Sequence, residues 1–354
     1  MKKVFAIVLS LAMVLSLAAC GSKQQAASPT DPVQTETQTP VETKVLKMGH
    51  MRPEGSFLDL NCKEFAEKIY EGTEGRYQID LYGANQLGDY EVVYERVSMG
   101  EIDMYLGSMA KSVDPSLAIT SVPGLLTSWD AVQKYLNTTD GTIALYAKER
   151  LDLQNLVLLG NHPMYFGVIA LSKEPVNWQN PGEPQGLHVR VPSANLGLNL
   201  EGEYFGYTTS GLPSSEDFTN MQTGVTDGTI GGGAERTWSD LKDVTKYIIP
   251  CNTHFETQWL TINKDLWNSI SAEDQAVFEK AAKEMEAKAF EIGPNNTDNY
   301  LKQFEEIGVT VYDMTGVQEK YDQIIREKVL PGVRDNLGDA ISVFDQVASE
   351  LAAS

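Results

Sequence analysis

Arg190 is the residue whose type and setting most demand a chemical explanation. It stands in Leu187-His188-Val189-Arg190-Val191-Pro192, a charge among apolar and β-branched neighbours. A guanidinium in such a place wants a planar acidic partner, which it can grip through two parallel hydrogen bonds. Two partners suit it: an internal Asp or Glu, giving a structural salt bridge, or the carboxylate of a bound ligand. The spacing leaves both open.

Enzyme chemistry finds little support. The four histidines, His50, His162, His188 and His254, lack metal-ligand spacing such as H-E-x-x-H. No G-x-S-x-G elbow, dinucleotide fingerprint or P-loop is present. Each His reads as structural, and no metal or cofactor is expected. His188 lies two residues before Arg190 on the same strand face, so it is the one that can line a cleft with it.

The elements that must hold Arg190 are short and alternate. Residues 187–191 read as a strand closed by Pro192. A helix follows over Leu196–Phe205, then a loop with Pro213. A second helix, capped by Ser214 or Ser215, reaches Met221 and ends at Gly224. Val225–Ile230 is a short strand that stops at Gly231-Gly232-Gly233. Upstream, Leu46–Met48, Tyr77–Leu81 and Ile102–Leu106 read as strands. Residues 57–71 and Tyr90–Ser98 read as helices. Downstream, Ser271-Ala-Glu-Asp274 starts a long helix, which Gly293-Pro294 should break or kink. The alternation is that of an α/β protein.

The first twenty residues, with Lys2, Lys3, an apolar run and Leu17-Ala18-Ala19-Cys20, form a secretory signal peptide. Small residues directly before Cys20 predict lipid attachment there. Residues 21–43 are rich in Gln, Thr, Ser and Pro and read as a disordered tether. No later stretch is long and apolar enough to span a bilayer. The rest of the chain suits two domains. The formal charge is −21, and losing Lys2 and Lys3 with the leader makes it −23. No basic stripe survives, which excludes nucleic acid as a partner. A bound anion must therefore be drawn by a local Arg or Lys against the overall field. Cys62 and Cys251 can pair in an oxidising compartment, but separate buried thiols are the favoured reading.

The segments GLHVRVP (186–192) and MQTGVTDG (221–228) resemble the solute receptors of tripartite ATP-independent periplasmic (TRAP) transporters of the DctP type. So do MGHMRPEGSFLDLNCKEFAEKI (48–69), YGANQLGDYEVVYERVSMGEIDM (82–104), KDVTKYIIP (242–250) and QWLTINKDLWNSISAEDQAVFEKAA (258–282), and the resemblance extends over about residues 44–340. The resemblance implies a periplasmic-binding-protein-like fold with a hinged cleft. One domain would comprise 44–164 plus 255–293, the other 165–254 plus 294–354. Arg190 would hold a ligand carboxylate. The protein would be a monomeric extracytoplasmic lipoprotein, not an enzyme, delivering a small organic acid to a TRAP permease. A ligand sensor of the same fold is the alternative.

Carried over residue by residue, the pocket would include Met51, Glu54, Ser108, Phe166, Ser214, Gly231 and His188 beside Arg190. Arg52 falls in the mapped loop, and Lys111 lies close to Ser108. Some family positions are changed. A second carboxylate-reaching Arg of the sialic-acid branch falls on Gly167, and the aromatic of that branch on Ser214. The Asn of Gln-Glu-Asn-Pro falls on Gly231. Ile230-Gly231 cannot bind the cation that the keto-acid branch uses. These changes predict one strong anionic anchor and a ligand with one essential carboxylate. Its body would be less charged than a C4-dicarboxylate, with an apolar part against Phe166 and Met51. If Lys111 reaches the cleft, dicarboxylates return as candidates.

Overall fold

The computed structural model describes residues 42–353. The leader, the lipid-attachment site expected at Cys20 and nearly all of the tether lie outside them.

Eleven strands among the described residues form two sheets. The first sheet contains β1 (Lys44–His50), β2 (Tyr77–Tyr82), β3 (Met104–Gly107), β4 (Leu156–Phe166) and β10 (Phe255–Asn263), in the order β2-β1-β3-β10-β4. β1 runs parallel to β2 and β3, while β10 runs antiparallel to β3 and β4. The second sheet contains β5 (Val168–Leu171), β6 (His188–Val191), β7 (Thr208–Gly211), β8 (Gly228–Gly232), β9 (Tyr247–Ile249) and β11 (Thr310–Val311). Its order is β11-β9-β5-β8-β6-β7. Helices pack against both sheets, so the fold is α/β with one lobe per sheet.

The helix Phe57–Gly72 shows why local sequence becomes local structure. Ser56 caps it by accepting from the Asp59 amide at 3.3 Å. Leu58, Cys62, Phe65 and Ile69 fall at helical spacing and are buried against the first sheet. Each such side chain contributes roughly 1.5–3 kcal/mol on leaving water. Phe65 meets Phe278 edge-on at 6.3 Å, and Tyr77 meets the same ring at 5.7 Å. Cys62 and Cys251 are both free and buried, each in its own apolar surroundings.

The chain crosses from the first sheet to the second at Gly167 and returns through residues 250–254. The two crossings touch. The Gly167 amide donates to the His254 carbonyl at 2.8 Å, and the Asn252 amide donates to the Gly167 carbonyl at 3.2 Å. A Cβ at Gly167 would lie 2.0 Å from the His254 ring, so only glycine fits. Around this crossing Trp129, Phe166 and Phe255 pack edge to face, with centroids 5.0–6.1 Å apart.

A third crossing is the helix Ala272–Glu306, capped by Ser271 accepting from the Asp274 amide at 3.1 Å. Of the break or kink expected at Gly293-Pro294, the break does not occur: the helix continues through Pro294. An interior proline costs about 3 kcal/mol. Packing on both sides outweighs it: Phe278, Ala281, Ala282 and Met285 bury against the first sheet, and Phe304 against the second. Gly293 admits the Trp129 indole, which a Cβ would meet at 2.4 Å. The C-terminal helix Ile341–Ala352 and the turn Gly338–Ala340 before it reach back towards the first sheet's helices: Tyr135 donates to Glu350 at 3.0 Å, and Arg150 pairs with Asp339 at 3.3 Å.

Three sequence expectations shift. The helix expected to be capped by Ser214 or Ser215 runs Asp217–Thr223 with no side-chain cap, and Ser214–Glu216 form a 3-10 turn before it. β7, Thr-Thr-Ser-Gly, was expected as loop; it is a polar edge strand paired with β6, and its composition hides it. The strand expected at Val225–Ile230 begins at Gly228. Gly224 closes the preceding helix at φ +77°, and Val225 stays exposed after it.

Candidate functional site

The cleft between the sheets is lined from both sides. The first lobe contributes Met51 and Arg52 after β1, Ser108 and Lys111 after β3, Tyr90, and Glu256 on β10. The second contributes Arg190 and Pro192 at the end of β6, Asn195, Ser214, Gly231 on β8, and Arg236. These sit largely at strand ends, where the chain turns and side chains are free to face a ligand. The central cavity measures about 50 Å³. Met51, Arg52, Ser214 and Arg236 also line a neighbouring cavity of about 200 Å³.

Arg190 is 2% exposed. Its Nε donates to the Leu212 carbonyl at 2.7 Å and lies 3.2 Å from Asp217 Oδ1. Among the described residues no hydrogen bond occupies its two terminal nitrogens. Asp217 is shared. Its Oδ2 accepts from Arg236 Nη2 at 2.6 Å and from Thr229 Oγ1 at 3.3 Å. Arg236 Nη2 also donates to the Ser214 carbonyl at 3.2 Å, and its Nε lies 3.5 Å from Asp240. The two guanidiniums thus stand side by side on the two oxygens of one carboxylate.

The sharing is unequal. Burial lowers the Arg190 pKa to about 10, and Asp217 offsets only part of that; the group stays charged at neutral pH. Burial also acts to lower Arg236, but Asp217 and Asp240 overcome it and raise the pKa. The closer approach of Asp217 to Arg236 explains the difference. Arg190 is therefore a buried cation with incomplete countercharge and a free edge, which is the arrangement that takes up an anion.

The opposite wall is mixed. Ser108 Oγ and Gln258 Nε2 donate to Glu256 Oε1 at 2.8 and 2.7 Å. Lys111 Nζ donates to Ser121 Oγ at 2.5 Å, and burial lowers its pKa against the raising influence of Glu256 and Glu91. Arg52 spans the lobes: its Nη2 donates to Tyr165 Oη at 2.7 Å, and its Nη1 lies 3.9 Å from Asp240.

Of the residues singled out in the sequence, Arg190, Met51, Ser108, Ser214 and Gly231 come together in this cleft. Three are placed elsewhere. Glu54 is on the surface, paired with Lys63 at 3.2 Å. Phe166 belongs to the aromatic cluster at the lobe crossing. His188 is tied to the Val225 carbonyl and to Ser210 Oγ at 3.0 and 2.8 Å. The apolar wall expected from Phe166 is thus missing from the cleft. Gly167, at the position of the absent second arginine, is packed against His254 and leaves no room for a side chain.

Sequence reasoning missed Arg236 and Glu256; Arg52, in the mapped loop, and Lys111, beside Ser108, do line the cleft. Arg236 follows the three glycines closely, and that was the available signal. The glycines make room for the protein's own side chains: a Cβ at Gly232 would meet Arg236 at 3.0 Å, and one at Gly233 would meet Tyr165 at 2.2 Å. Among the described residues no cluster of His, Cys, Asp or Glu could hold a metal ion, and no helix is long and apolar enough to cross a membrane.

Comparisons with known proteins agree with this architecture. Residues 48–331 match the family model DctP, bacterial extracellular solute-binding protein, family 7. An uncharacterised protein of Haemophilus influenzae is 29% identical over 250 residues, 70% of this chain and 74% of the relative. A TRAP periplasmic solute-binding protein from Haemophilus influenzae, solved with bound L-gulonate, superposes with a TM-score of 0.75 at 23% identity, covering 87% of this chain and 99% of that one. Another from Rhodoferax ferrireducens, with bound malonate, gives 0.77 at 21% identity, with coverage of 87% and 99%. The family match over most of the chain, on a two-sheet fold shared with these receptors, leads to one conclusion: the chain belongs to the DctP family of TRAP solute-binding proteins and is a binding protein, not an enzyme.

Proposed function

We propose that the protein captures a small organic acid between its lobes, holds the carboxylate on the free edge of Arg190, and hands it to a TRAP membrane permease. The observation that carries this reading is Arg190 itself, buried, under-compensated by Asp217 and open at both terminal nitrogens. That relatives of this fold hold L-gulonate and malonate supports an organic acid as the solute. Met51, Ser108, Ser214 and Gly231 line the space around the anchor. The two lobes, 44–164 plus 255–293 and 165–254 plus 294–354, close as hinged bodies because both touch the ligand only when shut. A diacylglyceryl group on Cys20 keeps the protein, as a monomer, on the outer face of the membrane.

A thermal-shift screen of small organic acids tests the reading. A true ligand at a hundred times its Kd adds about 2.7 kcal/mol of apparent stability. At least one acid should raise Tm, and small-angle scattering should show a smaller radius of gyration with it bound. No response to any acid would sink the proposal. For the anchor on the membrane, Cys20→Ala should move the protein into the soluble fraction; unchanged membrane retention would contradict it.

A further inference from the structure

The wall facing Arg190 carries a second recognition element. Glu256 spends Oε1 on Ser108 and Gln258, while no hydrogen bond occupies its Oε2 among the described residues. Lys111 gives one proton to Ser121, and no other hydrogen bond from its ammonium group is present among the described residues. Both side chains line the same small cavity as Arg190. An acceptor and a donor are thus left open on one wall, across from a cationic anchor on the other.

We propose that Glu256 and Lys111 together read a hydroxyl group on the bound acid, making hydroxylated carboxylates the solute class of this receptor. This rests on the organic-acid reading above and sharpens it. A hydroxyl both donates and accepts, so it can donate a hydrogen bond to Glu256 and accept one from Lys111. A methylene in that place leaves the open acceptor of Glu256 and the open donors of Lys111 desolvated and unsatisfied, which a polar site punishes heavily. An ammonium can donate to Glu256 but meets Lys111 as a like charge. A second carboxylate suits Lys111 and is repelled by Glu256. Of these substituents the hydroxyl satisfies both.

The test is calorimetry with matched acids: lactate, alanine and propanoate at three carbons, and 6-hydroxyhexanoate, 6-aminohexanoate and hexanoate at six. In the wild type, the hydroxy acid of at least one set should bind about tenfold or more tighter than its deoxy and amino counterparts. Glu256→Gln and Lys111→Met should shrink that ratio. Arg190→Lys should weaken the members of a set together and keep it. The wild-type comparison needs no variant, so a misfolded mutant does not blunt the test. If acids bind through Arg190 but the deoxy or amino acid equals the hydroxy acid, this inference fails and the carboxylate anchor stands. If no acid of either set binds while another acid from the thermal screen does, this inference fails and the carboxylate anchor stands; if no acid of any kind binds, both are overturned.

Discussion

Two arginines on aspartates show how differently one ion pair can be used. Arg76, where β2 begins, lays Nε and Nη2 on Asp274 at the start of the long helix, with contacts of 2.8–3.3 Å, and its Nη1 goes to Glu74 at 3.3 Å. Every nitrogen is engaged, and the side chain is a third exposed. Arg190 is almost fully buried, yet it gives only Nε to the protein and shares its aspartate with a second arginine. A structural arginine is spent at the surface, where an ion pair is worth little. A binding arginine is kept desolvated and unfinished, where an incoming anion gains most.

That contrast can be broken most forcefully at Asp217. Asp217→Asn removes the carboxylate between two buried guanidiniums and should destabilise the protein by about 3–5 kcal/mol. Chemical denaturation measures it; a loss comparable to a surface substitution would mean that the two arginines are better solvated than their burial implies. Arg76→Ala should do much less, lowering Tm slightly and changing acid affinity by less than about twofold. A large loss of affinity there would erase the distinction between the two pairs.

The smallest effect lies in the pH dependence of the Arg76 pair. Arg76, first, and then Ser271 hold the Asp274 carboxyl below its ordinary value of 3.8, against the opposing effect of burial. A depressed carboxylate stabilises the folded state fully above that ordinary value. The contribution fades as pH falls through the lower folded value. The stability gap between wild type and Arg76→Ala should therefore be steady near neutrality and close in strong acid. A gap that widens on acidification would contradict the pairing.

Much of this was legible in the sequence because it is local. The helix at Phe57–Gly72 announces itself through apolar spacing, and the long helix through Ser271-Ala-Glu-Asp274. Arg190 was legible because a charge between valines requires an explanation. Arg236 was not, since its meaning comes from Asp217, nineteen residues earlier, which the fold alone brings to it. Phe166 was misplaced for the same reason: its neighbours Trp129 and Phe255 are distant in sequence, and they claim its ring for the lobe crossing. Pairings between residues distant in sequence leave no periodic trace in the chain.

The central claim is that the open edge of Arg190 holds the solute's carboxylate. Calorimetry on wild type and Arg190→Ala, with whichever acid the thermal screen identifies, tests it most directly. Losing a desolvated charge-assisted pair costs about 2–5 kcal/mol, so affinity should fall roughly 30-fold or more. The variant should still unfold cooperatively. Equal affinity for the acid in wild type and Arg190→Ala would contradict the account.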